Sequence, residues 1–393
     1  MQTRNAAGIG ERSSKTPFPP LYLLHAAMLL SGFATVFLGT ALPRLAESTH
    51  ATDSASGLFF TAQFIGAFLG GITVHRRLLF CLRRGLATAG AGFALLAACV
   101  HWNTIAAFDC ACLALLGFGA GQMLVSANLL TAQRATKEQT KSLSLLNFTW
   151  SAGAITAPFL LSIGMQRMGL PVCLAFVAAF FWIVFALVFF GRDADESIQK
   201  QEATTQDVLP QWAFLLFAAI LFFYGGVETC MSGWITTFGT RYGSGTLGTS
   251  SLSATALWTG IVIGRVATPL LRLARTKTLL VACLLAAAGC VLLLSRASGA
   301  TSIVVLAVLL GLSLAEFFPL VLSSMLGAGA SPRETGWIIA LSGIGAAVLP
   351  WLLGVVSTRT ASLRIALNVP LAGIAALLLL VVWGFYLRKL KSV

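Results

Sequence analysis

Three ionisable side chains stand deep inside long apolar runs of the sequence: Glu228, Glu316 and Arg265. Glu228 lies about 16 residues into its run and Glu316 about 15, which in a helix is roughly 24 Å and 22 Å from the end where each run begins. An ionisable group is costly at such a depth in an apolar medium, and for that reason it is a functional candidate. A buried carboxyl that gains and loses a proton can couple a gradient to other work, so both acids are expected to be proton carriers. The competing reading makes each a carboxylate hydrogen-bonded to neighbouring helices, holding them together. Arg265 falls within about two turns of the end of its run, where its long side chain can snorkel or close an ion pair across a gate. It is grouped on that ground with Arg76 and Arg77 as a cytoplasmic gate. No other deep cation is legible, so an anionic solute is disfavoured and a neutral one expected.

The neutral candidates are Gln63, Gln122, Asn128, Asn147, Trp150, Tyr224 and Trp234. Amides donate and accept hydrogen bonds and indole rings stack on apolar sugar faces, so the set suits a polyhydroxylated ligand. Packing between helices is the alternative for each. Other patterns imply no chemistry. GFGAG at 117–121 has no strand before it, so it is no dinucleotide loop. Eight Cys and four scattered His show no ligand spacing beyond an isolated Cys110-Ala-Cys112, and neither a metal nor a cofactor is expected.

These residues need elements to hold them, and composition dictates which. Of 393 residues, 57% are hydrophobic and 10% charged, and the mean hydropathy is +0.87. A soluble domain carries roughly 25% charged residues, so most of this surface must face lipid. Runs long enough to cross a hydrocarbon core of about 30 Å, some 20 helical residues, occur near 21–43, 57–75, 81–101, 104–131, 142–166 and 169–191. Six more follow near 212–239, 250–273, 277–295, 301–327, 334–357 and 365–387. A transmembrane β-barrel would alternate instead. The first run is too long for a cleavable signal peptide, and Pro43–Arg44 is read as its end. The expected fold is all-α and integral to the membrane, with 12 transmembrane helices in two six-helix bundles.

Basic residues orient the chain. Nineteen of the 26 Lys and Arg fall on the side that holds both termini and six on the other, with Arg265 inside a span. That asymmetry predicts cytoplasmic termini in a plasma membrane. The net charge of +13 is therefore a topology signal, and nucleic-acid binding, which needs a basic folded face, is not expected. The organisation reads as a tail at 1–20, a bundle at 21–191, a polar linker at 192–211 that is flexible, a bundle at 212–387 and a tail at 388–393.

The two halves repeat each other. GAFLGG at 66–71 aligns with GIVIGR at 260–265, and GFGAGQ at 117–122 with GLSLAE at 311–316, both offset by 194 residues. GAITAP at 153–158 aligns with GAAVLP at 345–350, offset by 192. Gln122 thereby becomes the counterpart of Glu316. Such an offset implies two bundles related by an axis along the membrane normal, with a solute path between them.

Over essentially its whole length the sequence resembles the major facilitator superfamily. YGGVETCMSGWITTF (224–238) is similar to the seventh helix of that family's fucose–galactose–glucose permease branch, where Gly-Val-Glu precedes Gly-Trp. LLNFTWSAGAITAPFL (145–160) resembles its fifth helix and SGIGAAVLPWLLGVVS (342–357) its eleventh. HRRLLFCLRRG (75–85) keeps the family's loop cations without its usual Asp, and Leu124 stands where the branch often has an acid four residues before Asn128. The resemblance implies a secondary transporter rather than an enzyme, working as a monomer in a bacterial inner membrane. It implies proton-coupled uptake of a sugar or similar neutral polar solute by alternating access. Proton-antiport export of a drug, siderophore or other metabolite is the alternative.

Overall fold

The computed structural model describes residues 16–75, 77–134, 139–190, 194–196, 209–243, 247–271 and 276–388. Arg76 of the expected gate lies outside the described residues.

The apolar runs are helical because in lipid a helix satisfies every backbone N–H and C=O within itself. In chain order they are α1 (Leu21–Ser48), α2 (Asp53–Ile72), α3 (Leu78–His101), α4 (Ala106–Arg134), α5 (Gln139–Met168) and α6 (Leu170–Phe190). The second half comprises α7 (Gln211–Tyr242), α8 (Leu247–Leu271), α9 (Thr276–Arg296), α10 (Ala300–Ala315), α11 (Phe317–Gly327) and α12 (Pro332–Thr360). It closes with α13 (Leu363–Ala366), α14 (Asn368–Val381) and a π-helical turn at Val382–Leu387. Joined where they abut, α10 and α11 make the tenth span, and α13, α14 and the π-turn the twelfth. Among the described residues, eleven spans are long and apolar enough to cross a membrane, and α8 carries a shorter apolar stretch, Leu252–Ala267. Large apolar side chains face outward, among them Phe180 (59% exposed), Leu293 (58%) and Leu379 (73%), as a lipid-facing surface requires. The chain is a multi-pass membrane protein.

Prolines explain where helices stop and start. Pro319 has no N–H for the Ala315 carbonyl and Pro370 none for that of Ala366, and α10 and α13 end at those two residues. Pro43 acts differently. The helix runs through it to Ser48, correcting the expected end at Pro43–Arg44, because Ala41, Leu42 and Leu45 are buried on either side and one missing bond does not outweigh that packing. Pro20 and Pro210 are the N-caps of α1 and α7, extended at φ −51°, ψ 142° and φ −53°, ψ 138°, outside the helices that begin at the next residue.

The linker is anchored at both described ends. Thr16–Phe18 (β1) pairs antiparallel with Ala194–Glu196 (β2). Ser331 and Glu334 form a capping box at the start of α12, and Glu334 Oε1 also accepts the Leu209 N–H at 3.0 Å.

The repeat holds at the level of contacts. A Cβ on Gly66 would strike the carbonyl oxygen of Ala114, and one on Gly260 that of Val308; both members of the second pair lie 194 residues after the first. Gly117 meets the Gln63 carbonyl and Gly311 the Leu257 carbonyl, again 194 residues apart. Gly153 against Leu29 and Gly345 against Phe222 repeat the pattern for α1–α5 and α7–α12. Small residues allow helices to approach this closely in lipid, where packing rather than the hydrophobic effect drives association.

Candidate functional site

Between the halves lies a cavity with about 160 Å³ of room for the centres of water-sized molecules. Its lining is itself repeated. Thr35 and Val36 of α1 correspond to Glu228 and Thr229 of α7, Phe64 of α2 to Trp258 of α8, and Trp150 of α5 to Ser342 of α12, at offsets of 192 to 194 residues. A site built from equivalent positions of both repeats sits on the pseudo-twofold axis, where rocking of one bundle against the other exposes it to either side.

Glu228 is the carboxylate among the described lining residues. The Tyr224 hydroxyl lies 3.1 Å from its Oε1 and equally 3.1 Å from the Leu314 carbonyl. Tyr224 is held in place by its ring, stacked on Phe317 at 5.1 Å and 16°. Arg265, one turn and a half from the end of α8, interacts electrostatically with both Glu228 and Tyr224. Its Nη1 also donates to Ser151 Oγ of the other bundle at 3.2 Å. Arg265 therefore turns inward instead of snorkelling, which corrects the expectation that no cation serves the site. A guanidinium in a low-dielectric interior seeks acceptors and opposite charge; Ser151 Oγ supplies an acceptor, and Glu228 the charge.

Both ends of the cavity are closed by contacts between bundles. Towards the end that bears the termini, Arg265 meets Ser151, and the rings of Trp150 and Trp258 touch at 6.0 Å and 70°. At the opposite end Gly39 abuts Ser232 and Gly233, Gly57 abuts Trp351, and Phe60 meets Trp234 at 6.2 Å. There Arg241 clasps Asp53 with both Nη atoms, at 2.6 and 2.5 Å, Ser357 donates to the same carboxylate, and the Ser54 N–H donates to Thr358 at 2.8 Å.

Several expected residues lie elsewhere. Gln122 is fully buried within the first bundle, accepting from Arg84 Nε at 2.9 Å and donating to Thr73 at 3.1 Å. Its counterpart Glu316, 8% exposed, occupies the break between α10 and α11 and interacts with Cys283 of α9. Both members of the pair thus turn into their own bundles. Gln63 donates to the Ala34 and Thr35 carbonyls, and Asn128 to that of Leu124. Asn147 donates to Leu143 and, at 3.5 Å, to Asn128. Trp234 donates to the Pro350 carbonyl at 3.2 Å and fills the seal beyond the cavity. Arg77 is exposed at the start of α3. Of the expected solute contacts, Trp150 lines the cavity and Tyr224 supports it from behind. Phe64, Trp258 and Ser342 were missed, although the repeat offset applied to Trp150 and Glu228 points directly to Ser342 and Thr35. The Asp53–Arg241 clasp left no sequence signal, because its partners stand 188 residues apart.

The sequence model described as Major Facilitator Superfamily matches residues 24–327. No curated protein matches significantly. Among solved structures, a D-xylose-proton symporter superposes with a TM-score of 0.74 at 12% identity, over 95% of this chain and 99% of its own. The nucleoside transporter NupG gives 0.70 at 15%, over 94% and 99%. The fucose:proton symporter FucP of E. coli gives 0.62 at 18%, over 95% and 99%. Likeness at such identities establishes the fold.

Proposed function

We propose, from the premise that this chain belongs to the major facilitator superfamily, that it is a proton-coupled carrier which takes up a small neutral solute by alternating access. The carrying observation is Glu228, a carboxylate at the pseudo-axis, on the cavity wall, hydrogen-bonded by Tyr224 and within the electrostatic influence of Arg265. When ionised, Glu228 balances Arg265 across α7 and α8. When it takes up a proton, Arg265 loses that counter-charge and turns more fully to its bond with Ser151 in the other bundle. Protonation at the solute site is thereby linked to the contact that closes the terminal end. The excess of basic residues on the terminal side supports cytoplasmic termini, and a cavity lined by one chain supports a carrier that works as a monomer. The solved symporters for fucose and xylose support uptake and leave a sugar as one solute class.

Export by proton antiport is the second reading, favoured by the aromatic wall of Phe60, Phe64, Trp150 and Trp258. Liposomes carrying a pH gradient separate the two, since a symported solute follows the proton and an exported one moves against it. With L-fucose, D-xylose and a nucleoside as trial solutes, Glu228→Gln is expected to retain counterflow near the wild-type rate and to lose accumulation at least tenfold. Accumulation like the wild type would remove Glu228 from the proton path and pass the role to Glu316.

A further inference from the structure

We propose that Cys99 and Cys112 are a dithiol that closes to a disulfide across α3 and α4, with Asp109 taking the proton of the inner thiol. This rests on the termini being cytoplasmic, which puts the α3–α4 turn on the opposite, oxidising side of the membrane.

The two thiols already touch, with Cys99 Sγ and Cys112 Sγ 3.8 Å apart. Cys99 stands two residues before the end of α3 and Cys112 six after the start of α4, on either side of the turn at 102–105. The two helices run antiparallel in close contact. Two turns before Cys99, a Cβ on Gly92 would lie 2.8 Å from the Cα of Leu116. A disulfide joins residues whose Cα atoms are about 4.4–6.8 Å apart, and helices packed through glycine hold opposed residues near that range.

Asp109 stands beside the pair. It is fully buried, and among the described residues neither of its carboxylate oxygens has a hydrogen-bond partner. Such a group is rare in a native protein and calls for an explanation. It precedes Cys112 by three residues on the same face of α4 and interacts with it electrostatically. A carboxylate without donors next to a buried thiol is free to accept that thiol's proton.

The order of steps follows from exposure, since Cys99 is partly exposed and Cys112 only 7%. The oxidant is the disulfide of a small thiol or of a protein. The Cys99 thiolate attacks it, and the first leaving thiolate takes up the proton that Cys99 gave away. Cys112 passes its proton to Asp109 and attacks Cys99 Sγ, and the second leaving thiolate recovers that proton from Asp109. Two cysteines are oxidised, one external disulfide is reduced to two thiols, and Asp109 is restored.

Cells making the full-length chain are quenched in acid, denatured and treated with N-ethylmaleimide, and the mass of the purified protein counts the adducts. Of its eight cysteines, six are expected to be alkylated before reduction and all eight after it. Cys99→Ser and Cys112→Ser are each expected to give seven adducts in both conditions, and melting midpoints indifferent to reductant, whereas the wild type melts lower once reduced. In the purified, reduced protein, glutathione disulfide is expected to close the pair, and to do so about tenfold or more slowly in Asp109→Asn. Eight adducts before reduction, a disulfide that survives Cys99→Ser, or closure of Asp109→Asn at the wild-type rate overturns the proposal. A reporter fused after Val393 tells two failures apart: open thiols with a cytoplasmic reporter fault the pair, and open thiols with an external reporter fault the orientation on which it rests.

Discussion

Gln122 shows how far a single side chain can depart from the role its position suggests. By repeat it is the counterpart of Glu316, and its depth made it a solute contact. In the fold it lies against Arg84, whose guanidinium also faces the rings of Phe80 and Phe118 at 5.7 and 5.5 Å. A cation in that interior needs the amide oxygen more than a solute does. Gln122→Ala is therefore expected to lower stability by about 1–3 kcal/mol, the cost of leaving a buried charged donor unpaired. The thermal midpoint should fall while the KM of the folded fraction is unchanged. A raised KM at unchanged stability would return Gln122 to the solute path. Glu228 is the opposite case: a residue whose depth suggested function, and whose surroundings supply a cavity, a hydroxyl and a counter-charge.

At the scale of the helix, the glycines of the repeat hold α2 against α4 and α8 against α10 at distances that exclude a methyl group. Gly311→Ala would drive a Cβ into the Leu257 carbonyl, and the displacement of one backbone by another is expected to cost about 1–3 kcal/mol, as overpacking does. Gly289 of α9 has open space around its missing Cβ. Gly289→Ala is expected to be neutral or to stabilise by up to about 1 kcal/mol through helix propensity. Melting both variants in the same detergent checks the pair; equal midpoints would mean that the carbonyl contacts do not hold these helices together.

For the molecule as a whole, the clasp of Asp53 by Arg241 joins α2 of one bundle to α7 of the other at the end away from the termini. Asp53 is 14% exposed and Arg241 42%, so the pair is partly screened and worth about 1–2 kcal/mol. Removing it should shift the balance between closed and open states at that end roughly 5- to 30-fold. In Asp53→Asn, spin labels across α2 and α12 are expected to report more of the separated state, with slower transport. The exchanged pair, Asp53→Arg with Arg241→Asp, should recover part of the closed population. Unaltered distances in the single variant would show that the glycine contacts at Gly39 and Gly57 close this end unaided.

The sequence by itself determined the solvent, the twelve spans, their division six and six, and the repeat. Each of these is a property of contiguous residues or of a fixed offset, so the apolar stretch from Leu170 to Phe190 and the pairing of Gly117 with Gly311 are legible without coordinates. Only the tertiary structure decided which polar residues share the cavity. A helix advances about 100° per residue, so a side chain's neighbours depend on how each helix is rotated against the next. That rotation is fixed by packing between segments far apart in the chain. It turned Gln122, Glu316 and the amides into their own bundles. It brought Phe64, Trp258 and Ser342 to the axis and swung Arg265 inward to Glu228, because the low dielectric there makes the pairing of buried charge and hydrogen-bonding groups the deciding energy.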